Sequence, residues 1–195
     1  MRWDRALYRD EEGAALIETT LVFTLLILMT LGTIDLARAF AQWNTAEKAT
    51  QIGARAATIT DLVAQELADF DCKNTSIELG MPCANGGTSF GTIICSGASS
   101  NCDNGNTFDT VAFNTILTRM QVVYPQLQAS EVTVEYRDIG LGFAGREGPV
   151  PAVTVRLNNI QFNFIVLSSL LGLPTITMPD FRATLVGEDL TAAGA

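Results

Sequence analysis

Glu18 is a carboxylate set into an otherwise apolar run, residues 14–34. The run is 21 residues long, enough to cross a bilayer core as a helix. An ionisable group in such a segment costs about 3 kcal/mol, so it marks a function that supplies a partner. Gly13 directly precedes the run. Hydrolysis of the peptide bond after Gly13 would leave a free amine on Ala14, about one helical turn from Glu18. The chemistry on offer is charge neutralisation between that amine and a carboxylate, in one chain or between neighbours. The competing reading is that Glu18, near the start of the run, snorkels to the interface.

No other constellation in the chain points to catalysis. The sequence has no histidine, so it lacks the commonest general base and metal ligand. It carries no G-x-S-x-G, no P-loop and no H-E-x-x-H. An enzyme is not expected, nor is a cofactor or a metal. Asp103, Asn104, Asn106, Thr107 and Asp109 cluster oxygens as a calcium loop does, but Gly105 takes a ligand position and no Glu closes the loop. A solvated turn is the expectation there, and Glu188-Asp189 is read as solvated surface. The formal net charge of −9 argues against nucleic acid, whose phosphates demand Lys and Arg.

Cys72, Cys83, Cys95 and Cys102 lie within a 31-residue window rich in Gly, Asn and Ser. Their spacings of ten, eleven and six intervening residues do not match a zinc site. An even count after a membrane anchor reads as two disulfides in an oxidising compartment. Three pairings are possible; sequential pairing is preferred. The bulk of the chain is then exported, and residues 1–13 form a cytoplasmic leader. Arg2, Arg5 and Arg9 before the run, against Arg38 and Lys48 after it, agree with that orientation. Asp4, Asp10, Glu11 and Glu12 make the leader acidic, unlike a secretory n-region. Ala37-Arg38-Ala39 offers a rival signal-peptide site, with Asp35 between it and an apolar run too long for an h-region.

These groups need elements to hold them. Beyond the run, Leu36, Phe40, Trp43, Ala46, Ala49, Ile52, Ala56, Ile59, Val63, Leu67 and Phe70 recur at steps of three or four. One helix over residues 14–70 is predicted, roughly 85 Å long. Asp35 reads as the membrane boundary or as a second intersubunit contact, and Trp43 as core in preference to a headgroup anchor. Residues 71–107 read as a disulfide-pinned loop. A second helix is predicted over 109–127, with Val111, Ile116, Met120, Val123 and Leu127 on one face. Val132, Val134 and Tyr136 alternate with Thr133, Glu135 and Arg137, a half-buried strand. A glycine-rich turn leads to a second strand at 153–157, and a last one is expected at 181–187. Residues 166–173 (VLSSLLGL) are too short to span a bilayer and read as a buried turn of helix or an exposed apolar lip. The fold class is α+β: a long N-terminal transmembrane helix continuing into a domain packed on a small antiparallel sheet of three or four strands. The domains are residues 1–13, 14–35 and 36–195.

Gly13, then Ala14-Ala15-Leu16-Ile17-Glu18 and the apolar helix, resemble a type IV pilin-like protein. The stretch GAALIETTLVF, then Thr33-Ile34-Asp35-Leu36-Ala37-Arg38 and Ala54-Arg55-Ala56-Ala57, is similar to the TadE-like family. These are small pilin-like proteins of the tight-adherence (Tad, or Flp, type IVc) pilus. The resemblance implies a minor pilin or pseudopilin in the bacterial inner membrane, single-pass, N-terminus cytoplasmic, bulk periplasmic, able to enter an extracellular pilus and to support adhesion. It implies a prepilin peptidase cutting between Gly13 and Ala14. It implies that Glu18 docks a new subunit by pairing with the amine of its neighbour, strongly because both are buried in lipid. Partners implied are membrane lipid, the peptidase, other pilin-like subunits and the inner-membrane assembly platform. Thr19, Thr20, Thr24, Thr30, Thr33 and Gly32 offer small or hydroxyl surfaces for helix contacts. Two alternatives share some of these features: a minor pseudopilin of type II secretion, and a membrane-tethered extracytoplasmic binding domain with no filament role.

Overall fold

A computed structural model describes residues 11–146, 148, 150–172 and 174–187. Most of the leader, and the Glu188-Asp189 pair, lie outside the described residues. In chain order the main elements are helix α1 (Glu11–Ala57), strands β1 (Thr92–Ser96) and β2 (Asn101–Cys102), helix α2 (Thr110–Gln121), strands β3 (Val132–Leu141), β4 (Val150–Leu157) and β5 (Gln161–Phe162), helix α3 (Val166–Leu171), and strands β6 (Ile176–Thr177) and β7 (Phe181–Val186). The fold is α+β, with one long N-terminal helix and a small antiparallel sheet. Two compact units share it. One holds α1 as far as Ala41 together with Phe162–Ile176, and the other holds Gln42–Gln161 together with the chain from Thr177.

In the larger unit the sheet order is β2-β1-β3-β4-β7, every neighbour antiparallel. Five strands replace the expected three or four, because the predicted loop 71–107 contains β1 and β2. Its Gly, Ser and Thr residues hid the Thr92–Ser96 strand from a periodicity argument. Cys95 pairs with Cys102 across the β1–β2 ladder, and the two are disulfide-bonded; Cys72 is bonded to Cys83. Gly97 begins the β1–β2 turn. A Cβ there would sit 2.1 Å from the Ala129 carbonyl oxygen and 2.3 Å from Phe113, so only glycine fits.

The strand alternation holds, but its second face is not all solvent. Val132, Val134 and Tyr136 are buried in β3, as are Val153, Val155 and Leu157 in β4. Opposite them Glu135 and Thr154 are buried too. Glu135 accepts from Arg156 across the β3–β4 pair, and Thr154 shares a hydrogen bond with Thr184 of β7. Cross-strand partners thus cover polar groups that a lone strand would expose.

Helix α1 ends at Ala57, not near Phe70. Thr58-Ile59-Thr60 is a β-branched run, poor in helix. The Thr58 hydroxyl donates to the Arg55 carbonyl and the Thr60 hydroxyl to the Ala56 carbonyl, occupying the helix's last acceptors. The following backbone has better partners elsewhere. The Val63 N–H donates to the Tyr136 hydroxyl, and the Val63 carbonyl accepts from the Asp109 N–H. Burial pushes the Tyr136 phenol well above its ordinary range. Val63 and Leu67 stay buried, as their apolar spacing suggested, but from a turn and a short 3-10 segment, Gln65–Leu67.

Within the larger unit the buried positions of α1 are Ala46, Ala49, Thr50, Gly53, Ala54, Ala56 and Ala57. These small residues admit close neighbours: a Cβ on Gly53 would lie 2.5 Å from the Met120 sulfur of α2. Trp43, expected in the core, is instead 39 % exposed, with one edge of its surface covered by Phe181 at 4.9 Å between ring centres. Asp109 starts α2, accepting from the Val111 and Ala112 N–H groups at 2.8 and 3.0 Å. Those bonds, with one from the Gln65 amide, hold its carboxyl below the usual range. Glu66, which accepts from the N–H and hydroxyl of Thr107, is lowered for the same kind of reason. Within the calcium-like cluster, Asp109 caps α2, the Thr107 hydroxyl donates to Glu66, and the Asn104 and Asn106 amide nitrogens donate to the Thr92 and Asp103 carbonyls. Helix α2 ends at Gln121 rather than Leu127. Val122-Val123 is β-branched, and Pro125, which has no N–H to donate, disfavours helix at the residue before it.

Candidate functional site

The candidate site is the N-terminal half of α1. Its most apolar window has no buried residue. Leu16, Ile17, Leu21, Phe23, Leu25 and Met29 all stand more than half exposed. Water does not tolerate so large a contiguous apolar patch, and lipid does. Backbone groups are satisfied inside the helix, as a bilayer requires. The threonines follow the same rule. Thr19, Thr20, Thr24, Thr30 and Thr33 each donate a hydroxyl to a carbonyl three or four residues back. Their donors are therefore occupied, and what they present to a neighbouring helix is a small surface and an acceptor.

Gly13 lies inside α1, where glycine costs about 1 kcal/mol relative to alanine. A Cβ there would meet nothing within 4 Å. Unlike Gly97, it has no packing reason to be glycine. Unlike Gly86, at φ +102°, it has no left-handed backbone to accommodate. Ala14 and Glu18 follow on the same helix, four residues apart and both exposed. Among the described residues Glu18 has no hydrogen-bond or ion-pair partner. The helix thus carries an exposed carboxylate close to a glycine that the fold itself does not need.

Asp35 behaves differently from both readings of the sequence. It is 1 % exposed, and its carboxylate is neither a bare boundary marker nor free for another subunit. It accepts from the Val166 and Leu167 N–H groups at 2.9 and 3.0 Å, with Ile165 at 3.5 Å. Arg38 reaches the other oxygen at 3.4 Å. Asp35 thus caps α3 from 131 residues away, placing a carboxylate on a helix's positive end. Arg38 also lies 5.9 Å from the centre of the Phe162 ring. The only sequence hint of this contact was that residues 164–166 offer no Ser, Thr, Asp or Asn to start a helix.

An exposed apolar helix running without interruption into an α+β domain fits a single-pass membrane protein. Residues 13–55 match the family model described as TadE-like protein. The match covers Gly13, Glu18 and Asp35 and runs nearly to the end of α1. No curated protein and no solved structure matches the chain.

Proposed function

We propose that the protein is a minor pilin-like subunit of a Tad (Flp, type IVc) pilus system, matured by a prepilin peptidase between Gly13 and Ala14. It stands in the inner membrane on residues 14–34, with the leader in the cytoplasm and the disulfide-bonded bulk in the periplasm. From there it primes or enters a filament with other pilin-like subunits, and so supports adhesion. Glu18 acts at docking by neutralising the amine that cleavage creates on an adjacent subunit, an ion pair strengthened by the surrounding lipid. The role needs no catalysis and no cofactor.

One observation carries this reading: Gly13, Ala14 and an unpartnered Glu18 stand in register on an exposed apolar helix inside the TadE-like match. The size of the β-rich unit favours a minor subunit over a major one, whose family precedent is a very short chain. The test is the N-terminus of the protein purified from its own membranes, by intact mass and N-terminal peptide mapping. A start at Ala14 is expected. A start at Met1 would overturn the pilin reading in favour of a tethered domain. A start at Phe40 would mean a secretory signal had been removed.

A further inference from the structure

The segment from Phe162 to Ile176 is grouped with the membrane helix rather than with the sheet. It lies in a stretch of the sequence that the pilin reading leaves unused: residues 157–179 contain no Asp, Glu, Lys or Arg. Its short helix α3 has six residues, far too few to cross a bilayer. Two of its apolar side chains are nonetheless turned outward, Ile165 being 59 % and Ile176 50 % exposed, while Phe162 is buried.

Two contacts fix the level of this segment along α1. Leu167 comes within 3.7 Å of where a Gly32 Cβ would be, and Asp35 holds the start of α3 through the Val166 and Leu167 N–H groups. Gly32 lies in the last turn of the apolar run, and Asp35 directly follows it. A helix bound there lies where hydrocarbon gives way to headgroups. The segment's polar groups are also accounted for. Ser169 donates to the Ile165 carbonyl, and the Thr175 hydroxyl donates to the Asn163 side-chain oxygen at 2.6 Å. The Arg38 guanidinium lies beside the Phe162 ring, which is paired edge-on with Phe164.

We propose that Phe162–Ile176 is a second membrane contact, an in-plane anchor seated at the boundary between headgroups and acyl chains. The occupant of its outer face is lipid, because the anchor is held at the end of the spanning helix and the span itself is lipid-covered. The inference rests on residues 14–34 spanning the bilayer. Its consequence is mechanical. A lone spanning helix can slide and tilt in a membrane; a lateral foot at the interface restrains both, and so holds Glu18 at one depth.

The test uses the full chain reconstituted in phosphatidylethanolamine–phosphatidylglycerol vesicles, with one tryptophan added at a time and its emission taken as the difference from the parent. Ile165→Trp and Ile176→Trp should each lose roughly half of the added emission to lipids brominated near the headgroup end of the acyl chain, and less to lipids brominated near the chain terminus. Leu25→Trp should show the reverse order, and Ser99→Trp, on an exposed turn, no loss. Loss at Leu25→Trp with none at Ile165→Trp and Ile176→Trp would overturn the anchor while leaving the span intact. A blue-shifted but unquenched Ile165→Trp would place a second copy of the chain on this face, and would overturn it too. Absence of loss at Leu25→Trp would remove the span and the anchor together.

Discussion

Helix α1 is one continuous element with two different surfaces. From Leu16 to Met29 its apolar side chains are large and mostly exposed. From Ala46 to Ala57 its covered positions are occupied by Ala, Gly and Thr. The difference follows from what lies outside each stretch. Lipid chains are mobile and fill any contour, so size costs nothing and adds apolar area. Protein neighbours are fixed, and close approach of backbones requires short side chains, as at Gly53 beside Met120. The charged groups divide the same way. Glu18 in the first stretch has no partner among the described residues, while Asp35, at the end of the apolar run, has several.

Substitutions can break this contrast. The largest effect is expected at Glu18. Glu18→Ala should leave membrane insertion intact and lower piliation and adhesion by at least about tenfold, since the neighbour's amine would lose its only counter-charge in lipid. Unchanged pili in that strain would count against the docking role. Next come paired size changes along α1. Ala54→Leu should destabilise the domain by about 1–3 kcal/mol through overpacking. Leu21→Ala, on the lipid-facing stretch, should move domain stability by less than about 0.5 kcal/mol. Denaturant unfolding of the solubilised protein measures both, and equal effects would erase the distinction.

A smaller loss is expected from Tyr136→Phe. It strips the acceptor from the buried Val63 N–H and should cost about 1–2 kcal/mol, again by denaturant midpoint. A midpoint unchanged from the parent would mean that the turn after α1 is not held by that bond. The smallest effect concerns Asp109. Its folded-state carboxyl titrates below its ordinary value, so the stability it contributes is present above the unfolded value, near 4. That stability is lost as pH falls through the lower folded value. Asp109→Asn keeps a cap without a titrating charge, so its stability should fall less steeply than the parent's below that unfolded value. Asp109→Ala should lose about 1 kcal/mol at neutral pH. Parallel pH profiles for Asp109→Asn and the parent would show that Asp109 does not carry this linkage.

Legibility from sequence tracked the range of the interactions involved. The apolar run, the strand alternation at Val132–Tyr136 and at Val153–Leu157, and the start of α2 near Asp109 depend on neighbours a few residues away, and each is found near its expected place. The β1–β2 hairpin was missed because its strands draw stability from the Cys95–Cys102 link and from pairing with β3, not from a hydrophobic period. The end of α1 was misplaced because apolar spacing continues through Thr58-Ile59-Thr60 even though those residues disfavour helix. Of the candidate site, Gly13, Ala14 and Glu18 were readable from spacing alone. The partner of Asp35 was not.

The sequence by itself determined a lipid-length apolar helix, a carboxylate within it, a glycine in register and an α+β domain behind it. Composition, period and spacing are local quantities, and they suffice for those features. Tertiary structure decided where α1 stops, that Glu135 and Thr154 are buried, and that Asp35 holds a helix 131 residues away. A hydrogen-bonding group takes the best partner the folded chain brings within about 3 Å of it, and no local pattern records which distant partner that is.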